Sequence, residues 1–267
     1  MPVRRIGRPA HGEREDTVAV EEPLEVRLHG QAFATIMRTP GDDKDLAAGF
    51  LLSEGVISSA DDLGAVEHCR HPHHPEYHNI VDVFLTRAAR EGMDQQLRER
   101  RNVPATSSCG LCGRLTIESL ERRLAPLGCA WTIDAAVAGA LPESLRAQQR
   151  LFDETGGLHA AGLFTLAGDA IGFAEDVGRH NAVDKVIGRM LLASRVPLHD
   201  TVLAVSGRTS FEIVQKAWIA GLVVICAVSA PSSLAIDLAS AGGITLLGFV
   251  RGGGFNIYTH ADRVRAV

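Results

Sequence analysis

Leu24, Val26 and Leu28 alternate with the charged Glu25 and Arg27, and this period of two predicts a β-strand with one buried face. His29-Gly30 can turn the chain, so Ala32–Met37 reads as the returning strand of a hairpin. Pro40-Gly41-Asp42 ends that strand. Asp42 reads as the N-cap of a helix over Lys44–Glu54, with Leu46, Phe50 and Leu51 on one face and Gly55 as its stop. A further strand is expected over Asn79–Leu85. Arg87–Arg101 is highly charged and lacks an internal apolar stripe, as a surface connector or exposed helix would. Helical patterning resumes at Ile117, Leu120 and Leu124, and again from Pro142 to Phe152, where Leu145, Gln149 and Phe152 approximate helical spacing. A short strand is expected over Cys129–Ile133.

From Gly162 onward the rhythm becomes regular: apolar strand, small polar junction, amphipathic helix. Strands are expected at Leu163–Leu166, Ala170–Ala174, Val202–Val205, Val223–Val228, Thr245–Val250 and Phe255–Tyr258, and helices at Asn181–Ala193, Phe211–Ala220 and Leu234–Ala241. Strands that read as continuous apolar runs belong in a sheet covered on both faces, so the fold class is α/β (α+β) with a parallel or mixed sheet. The expected organisation is a flexible polar arm over 1–15, a small β-rich domain over 16–105, a mobile loop over 106–114 and an α/β domain over 115–267.

Composition narrows the possible functions. The 267 residues are 46% hydrophobic and 22% charged, ordinary for a globular chain and incompatible with dominant disorder. A net charge of −5 gives no global attraction to nucleic acid or to anionic membranes, so any anion site must be built locally. The charged start carries no export signal, and Ala220–Val228, the most apolar run, is too short to span a bilayer; a cytoplasmic protein is expected. An odd number of cysteines, five, argues for free thiols rather than a disulfide framework.

Three strand-to-helix junctions share small, hydroxyl-bearing or basic residues: Asp176-Val177-Gly178-Arg179-His180-Asn181, Ser206-Gly207-Arg208-Thr209-Ser210 and Ser229-Ala230-Pro231-Ser232-Ser233. In an open α/β sheet such junctions line the crevice beyond the strand ends, where free helix N–H groups and an arginine suit a phosphate. Any one of them is better explained by turn and capping geometry; three together, two with an arginine, point to an anionic, nucleotide-bearing ligand. No Walker or dinucleotide fingerprint accompanies them. His159, just before the first strand of this half, is a candidate proton donor or ligand contact, with a packing role as the plain alternative. Glu175, Asp176, Asp184 and Lys185 read as capping and ion-pairing residues around Arg179.

Cys109-Gly110-Leu111-Cys112-Gly113 places two thiols where they can meet one metal or exchange sulfur with each other. A structural zinc site would need further ligands, which Cys69 and the histidine-rich stretch His68, His71, His73, His74 and His78 could supply. A thioredoxin-like redox pair would carry aromatic and proline neighbours, absent here. A zinc nucleobase deaminase is echoed by His74-Pro75-Glu76 followed by the Cys pair, although Ser108 rather than proline precedes Cys109. A sulfur relay needs a nucleophilic, reachable thiolate, which a glycine-bounded segment beside Arg114 favours. Cys226, inside an apolar strand, reads as core.

These segments resemble the FdhD family, the formate dehydrogenase accessory sulfurtransferases, from about Glu21 to the C-terminus. The resemblance rests on Ser108–Gly113, on Gly157-Leu158-His159-Ala160-Ala161, on Glu175–Lys185, on Ser206–Glu212 and on Ser229–Ala235. It implies that sulfur arrives from a cysteine desulfurase as a persulfide on Cys109, with Cys112 as partner or alternative acceptor. The sulfur would then pass to the molybdenum cofactor, Mo-bis(molybdopterin guanine dinucleotide), bound as substrate before insertion into the formate dehydrogenase catalytic subunit. It implies a cytidine deaminase-like fold for the C-terminal half, and it maps a cofactor-binding segment onto Phe255, Asn256, Ile257, Tyr258, Thr259 and His260. Together with Arg179, His180, Ser206, Gly207, Arg208, Ser210, Ser229 and His159, these are the expected contacts to the guanine nucleotide-containing cofactor. No resident metal, nucleic acid or membrane partner is expected, and a homodimer is the expected assembly.

Overall fold

The computed structural model describes residues 1–5, 12–69, 77–91 and 124–266. Strands β1 (Pro2–Arg5) and β2 (Gly12–Glu15) pair antiparallel within the segment read as a polar arm. Next, β3 (Glu22–Leu28) and β4 (Gln31–Arg38) form the expected hairpin; His29 and Gly30 adopt φ of 52° and 79°, the positive angles that a two-residue hairpin turn favours. Helix α1 (Asp43–Ser53) follows. Asp42 does not cap it through its side chain; its backbone is left-handed, and its carboxylate pairs instead with Arg189 at 2.9 Å. The strand β5 (Leu63–His68) was not expected, and with β6 (Ile80–Leu85) it completes a four-stranded sheet in the order β4-β3-β6-β5.

In the second half, β7 (Ile133–Asp134) replaces the strand expected over Cys129–Ile133 and pairs with β14 (Val264–Arg265) at the far end of the chain. Helix α2 (Ala135–Arg146) begins seven residues before Pro142, because the Asp134 carboxylate accepts a 2.9 Å hydrogen bond from the Ala136 N–H and caps it; the proline lies inside the helix. A separate short helix, α3 (Arg150–Thr155), covers the rest of the expected segment.

The six-stranded sheet comprises β8 (His159–Phe164), β9 (Ala170–Asp176), β10 (Val202–Val205), β11 (Val224–Ala227), β12 (Thr245–Arg251) and β13 (Gly254–Thr259), in the order β13-β12-β11-β10-β8-β9. Helices α4 (Arg179–Leu192), α5 (Phe211–Ala220) and α6 (Ser233–Ala241) agree with the periodicity to within two residues. Both sheet faces are covered. Val202, Ala204, Val224 and Cys226 face a core shared with Leu141 and Leu145 of α2, while Leu203, Val205 and Ile225 face a core shared with α4 and α5. That double burial is why these strands show no polar alternation. Among the described residues, no helix is long and apolar enough to cross a membrane.

The second core also contains Leu24, Val26, Val81 and Leu51 from the N-terminal half, so both sheets share one interior. Helices α1 and α4 cross in backbone contact: a Cβ on Gly188 would lie 2.6 Å from the Gly49 amide nitrogen, and one on Gly49 would lie 2.7 Å from the Asp184 carbonyl carbon. Buried ion pairs reinforce the junction. Lys185 meets Asp176 at 2.8 Å and donates to the Thr39 carbonyl at 2.9 Å. Lys216 meets Asp184 at 2.7 Å, and the Ser53 hydroxyl donates to the same carboxylate at 2.8 Å. Of the charged residues read as an ion-pair set, Asp176 and Lys185 pair with each other and Asp184 pairs with Lys216, and all three also bond the N-terminal half; Glu175 accepts from the Leu151 and Phe152 N–H groups instead.

Candidate functional site

Strand β8 runs antiparallel to β9 and β10, while β10, β11 and β12 are mutually parallel, so the C-terminal ends of β9, β10, β11 and β12 emerge on one edge of the sheet. The N-terminal ends of β8 and β13 return to the same edge. The three junctions recognised in the sequence are thereby brought together, with His159 among them, in the position where open α/β sheets bind ligands.

Each junction is shaped by its own small residues. At the first, one Asp176 oxygen accepts from the Gly178 N–H at 2.8 Å and from the Asn181 amide at 2.9 Å, and the first turn of α4 has no side-chain cap. At the second, the Ser206 hydroxyl accepts from the Ala160 N–H at 2.9 Å, tying β10 to β8, and Gly207 admits the His159 ring, whose Nδ1 would lie 3.3 Å from a Cβ there. Ser210 leaves α5 without a side-chain cap and directs its hydroxyl to His180 Nε2 at 3.1 Å. At the third, the Ser229 carbonyl accepts from Phe249 N–H at 3.2 Å, and Ser232 caps α6.

The electrostatics favour an anion. Burial, followed by the Arg179 and Arg208 guanidinium groups, holds the His159 imidazole below its ordinary range. Burial and Arg179 push His180 down to about 4, against the opposing pull of Glu212. Both rings are therefore neutral at physiological pH, and the local positive charge resides on the arginines. Arg179 Nε, at the first junction, is buried without a hydrogen-bond partner among the described residues, as is the Thr209 hydroxyl at the second.

Alongside these junctions opens a cavity of about 790 Å³, between the sheet edge and α2–α3. Leu145, Phe152, Leu158 and Val250 supply apolar walls, and Gln149, His159, Ser206 and Arg251 supply polar groups, a composition suited to a nucleotide-sized ligand. His159 and Ser206 thus line the cavity, Gly207 packs on the His159 ring, and Arg179 and Arg208 act on that ring electrostatically, whereas His180, held by Ser210, lines a separate cavity of about 200 Å³ with Glu212 and Lys216.

The β13 residues divide. Phe255 packs on the α2-side core, Asn256 pairs with Gly248, and Ile257 pairs with Leu247 and is partly exposed. Tyr258 packs on the α4-side core. Because β13 runs away from the crevice, Thr259 and His260 lie at the opposite end of the sheet. There the Thr259 hydroxyl donates to the Ile244 carbonyl at 2.6 Å, and a His260 ring nitrogen lies 3.1 Å from the Ser240 carbonyl. The structure does not bring these two to the other site residues.

Cys109 and Cys112 lie outside the described residues, as do His71, His73, His74 and Glu76. Among the described residues no three His, Cys, Asp or Glu side chains are grouped to hold a metal ion. Sequence reasoning missed Glu143 and Arg251 as cavity residues and assigned Gln149 only a helical position. The cavity wall forms where α2 and α3 fold back over the sheet edge, and no local spacing records that approach.

Comparisons with known proteins agree with this architecture. The FdhD/NarQ family profile matches residues 19–265. The sulfur carrier protein FdhD of Anaeromyxobacter dehalogenans strain 2CP-C is 49% identical over 259 residues, covering 95% of this chain and 90% of that protein. The sulfur carrier protein FdhD of Streptomyces avermitilis is 48% identical over 272 residues, covering 98% and 94%. The crystal structure of a proposed formate dehydrogenase accessory protein from Desulfotalea psychrophila superimposes with a TM-score of 0.76 at 25% identity, covering 99% of this chain and 97% of that one.

Proposed function

The chain belongs to the FdhD/NarQ family, and from that membership we propose that it is a sulfur carrier acting in formate dehydrogenase maturation. In this reading a cysteine desulfurase delivers sulfane sulfur to the Cys109 thiolate, leaving a persulfide on Cys109. Attack by the Cys112 thiolate on the inner sulfur forms a Cys109–Cys112 disulfide and expels hydrosulfide. The two thiols supply both electrons, and the hydrosulfide so released would be the form of sulfur handed to the dinucleotide cofactor bound as substrate. The formate dehydrogenase catalytic subunit then receives the sulfurated cofactor, and the whole exchange takes place in the cytoplasm.

The observation that carries the reading is a single sheet edge on which His159 and Ser206 line a cavity of about 790 Å³ while Arg179 and Arg208 lie close enough to hold the His159 imidazole below its ordinary range. Two guanidinium groups and two uncapped helix starts suit the diphosphate of such a cofactor, while neutral imidazoles add hydrogen bonding without further charge. Incubation with a cysteine desulfurase and cysteine should add the mass of one sulfur atom to the Cys109-containing peptide. Cys109→Ala should abolish that increment and formate dehydrogenase activity in cells. An active enzyme in Cys109→Ala cells would refute the sulfur-relay reading.

A further inference from the structure

Strand β4 forms one edge of the four-stranded sheet: it pairs with β3, and among the described residues no strand lies on its outer side. Two contacts show which of its backbone groups face outward. Met37 stands opposite Pro23, which has no N–H to exchange, and the Met37 carbonyl accepts instead from the Asn181 side-chain amide of α4 at 2.8 Å. Backbone groups alternate sides along a strand, so the Thr35 N–H and carbonyl also point away from β3. Edges of this kind are ordinarily guarded by charge, proline or a bulge. Here neither charge nor proline occurs between Gln31 and Arg38, and the register shift lies toward the turn, leaving residues 34–37 regularly paired.

Behind that edge opens the cavity of about 200 Å³. Ile36 of β4 and Phe50 of α1 supply its apolar wall, and Glu54 and Glu212 supply carboxylates. The basic groups of the lining are already engaged or neutral: Lys216 is spent on Asp184 at 2.7 Å, and burial and Arg179 keep the His180 ring uncharged. The Glu212 carboxylate is 58% exposed, and its nearest basic partner is that neutral ring, 3.7 Å away. The Asn181 amide donates to the Met37 carbonyl and to Asp176 at 2.9 Å, so its own carbonyl oxygen is the group offered to the cavity. An apolar wall ending in a carboxylate and a carbonyl acceptor suits the aliphatic stem and cationic head of an arginine or lysine. Edge and cavity are in register. Ile36 stands opposite the fully buried Leu24 and therefore faces the interior, so a strand laid along β4 would place the side chain opposite Ile36 on that same face, over the cavity.

We propose that the β4 edge docks an extended basic segment of a partner protein, which adds a strand outside β4 and lowers one arginine or lysine into the cavity beside Ile36, onto Glu212 and the Asn181 carbonyl. Main-chain bonds to Thr35 supply affinity, and the cavity selects the basic side chain. The site stands on the N-terminal sheet, apart from the larger cavity and from the sulfur-carrier reading.

The test titrates the full chain, by fluorescence polarisation, into a labelled heptapeptide of alternating threonine and valine with arginine at its centre. The peptide should bind, and glutamine in place of the arginine should weaken it at least about ten-fold, as should Glu212→Gln. N-methylation of the threonines flanking the arginine should abolish binding. Thr35→Pro, tolerated at an edge whose N–H faces solvent, should do the same, and the N-methylated peptide carries that test if the variant fails to fold. Equal affinity for the arginine and glutamine peptides, or no binding below about 1 mM, overturns the proposal. Sedimentation equilibrium covers the other occupant: a dimer that Thr35→Pro dissociates would place a second copy on the edge, and that result also overturns it.

Discussion

Replacing Gly188 by alanine tests whether α1 and α4 are held together by backbone contact. The new methyl carbon would fall 2.6 Å from the Gly49 nitrogen and inside contact distance of the Asp45 carbonyl oxygen, whereas real Cβ contacts essentially never come below 3.0 Å. Both obstacles are helix backbone and cannot rotate away. The helices must therefore separate by about 1 Å, which loosens Ala47, Ala48 and Leu51 against Val183 and Ile187 and forfeits a quarter to a half of each contact's attraction. Overpacking typically costs roughly 1–3 kcal/mol and occasionally more, and two backbone obstacles put this case at or above about 3 kcal/mol, offset by about 1 kcal/mol from alanine's higher helix propensity. With about 2–4 °C lost per kcal/mol in a chain of this size, the melting temperature should drop by about 5–15 °C in a calorimetric scan. Gly128→Ala, where the added carbon meets nothing within 4 Å, serves as control and should melt with the parent. A Gly188→Ala protein melting within about 2 °C of the parent would refute the reasoning.

Acidification should expose the depressed His180. Its folded value of about 4 lies below the ordinary 6.5, so the unfolded chain takes up the proton first; stability is complete above that range and declines as pH falls toward 4. With the side chain 32% exposed, the loss should reach about 1–2 kcal/mol, and urea melts at pH 7, 6 and 5 should show a shallower decline for His180→Gln. Removing one partner of the Lys216–Asp184 pair strands a charge in the core, so Lys216→Met should cost about 3–5 kcal/mol, while Lys216→Met with Asp184→Leu recovers most of it; equal losses in the single and double variants would argue against a buried charge penalty. Burial pushes the Cys226 thiol up to about 12, so iodoacetamide should leave it unmodified in the native protein and alkylate it after denaturation, as peptide masses would show.

Much of the fold was legible because it depends on local patterns. The β3–β4 hairpin followed from strict alternation plus a turn dipeptide, and α5 began and ended where its apolar stripe did. Non-local events hid the rest. The Asp42 carboxylate serves Arg189, 147 positions away, rather than its own helix. Asp176 and Lys185 look like local capping partners, yet they tie down Thr39 from the N-terminal half. The crevice was legible at its junctions, since glycine, serine and arginine after a buried strand carry their own geometric reason. Its far wall was not: Gln149, Glu143 and Arg251 line the cavity only because α2 and α3 fold back over the sheet edge, an approach that no local spacing encodes.

The shared interior has an evolutionary consequence. A piece ending before residue 92 would expose Leu24, Val26 and Leu51, and a piece starting after residue 123 would expose Val183 and Ile187, so neither half is a portable module that recombination could graft onto another gene. Inheritance should therefore preserve both sheets as one indivisible cassette, and fragments split at that boundary should regain structure only when mixed.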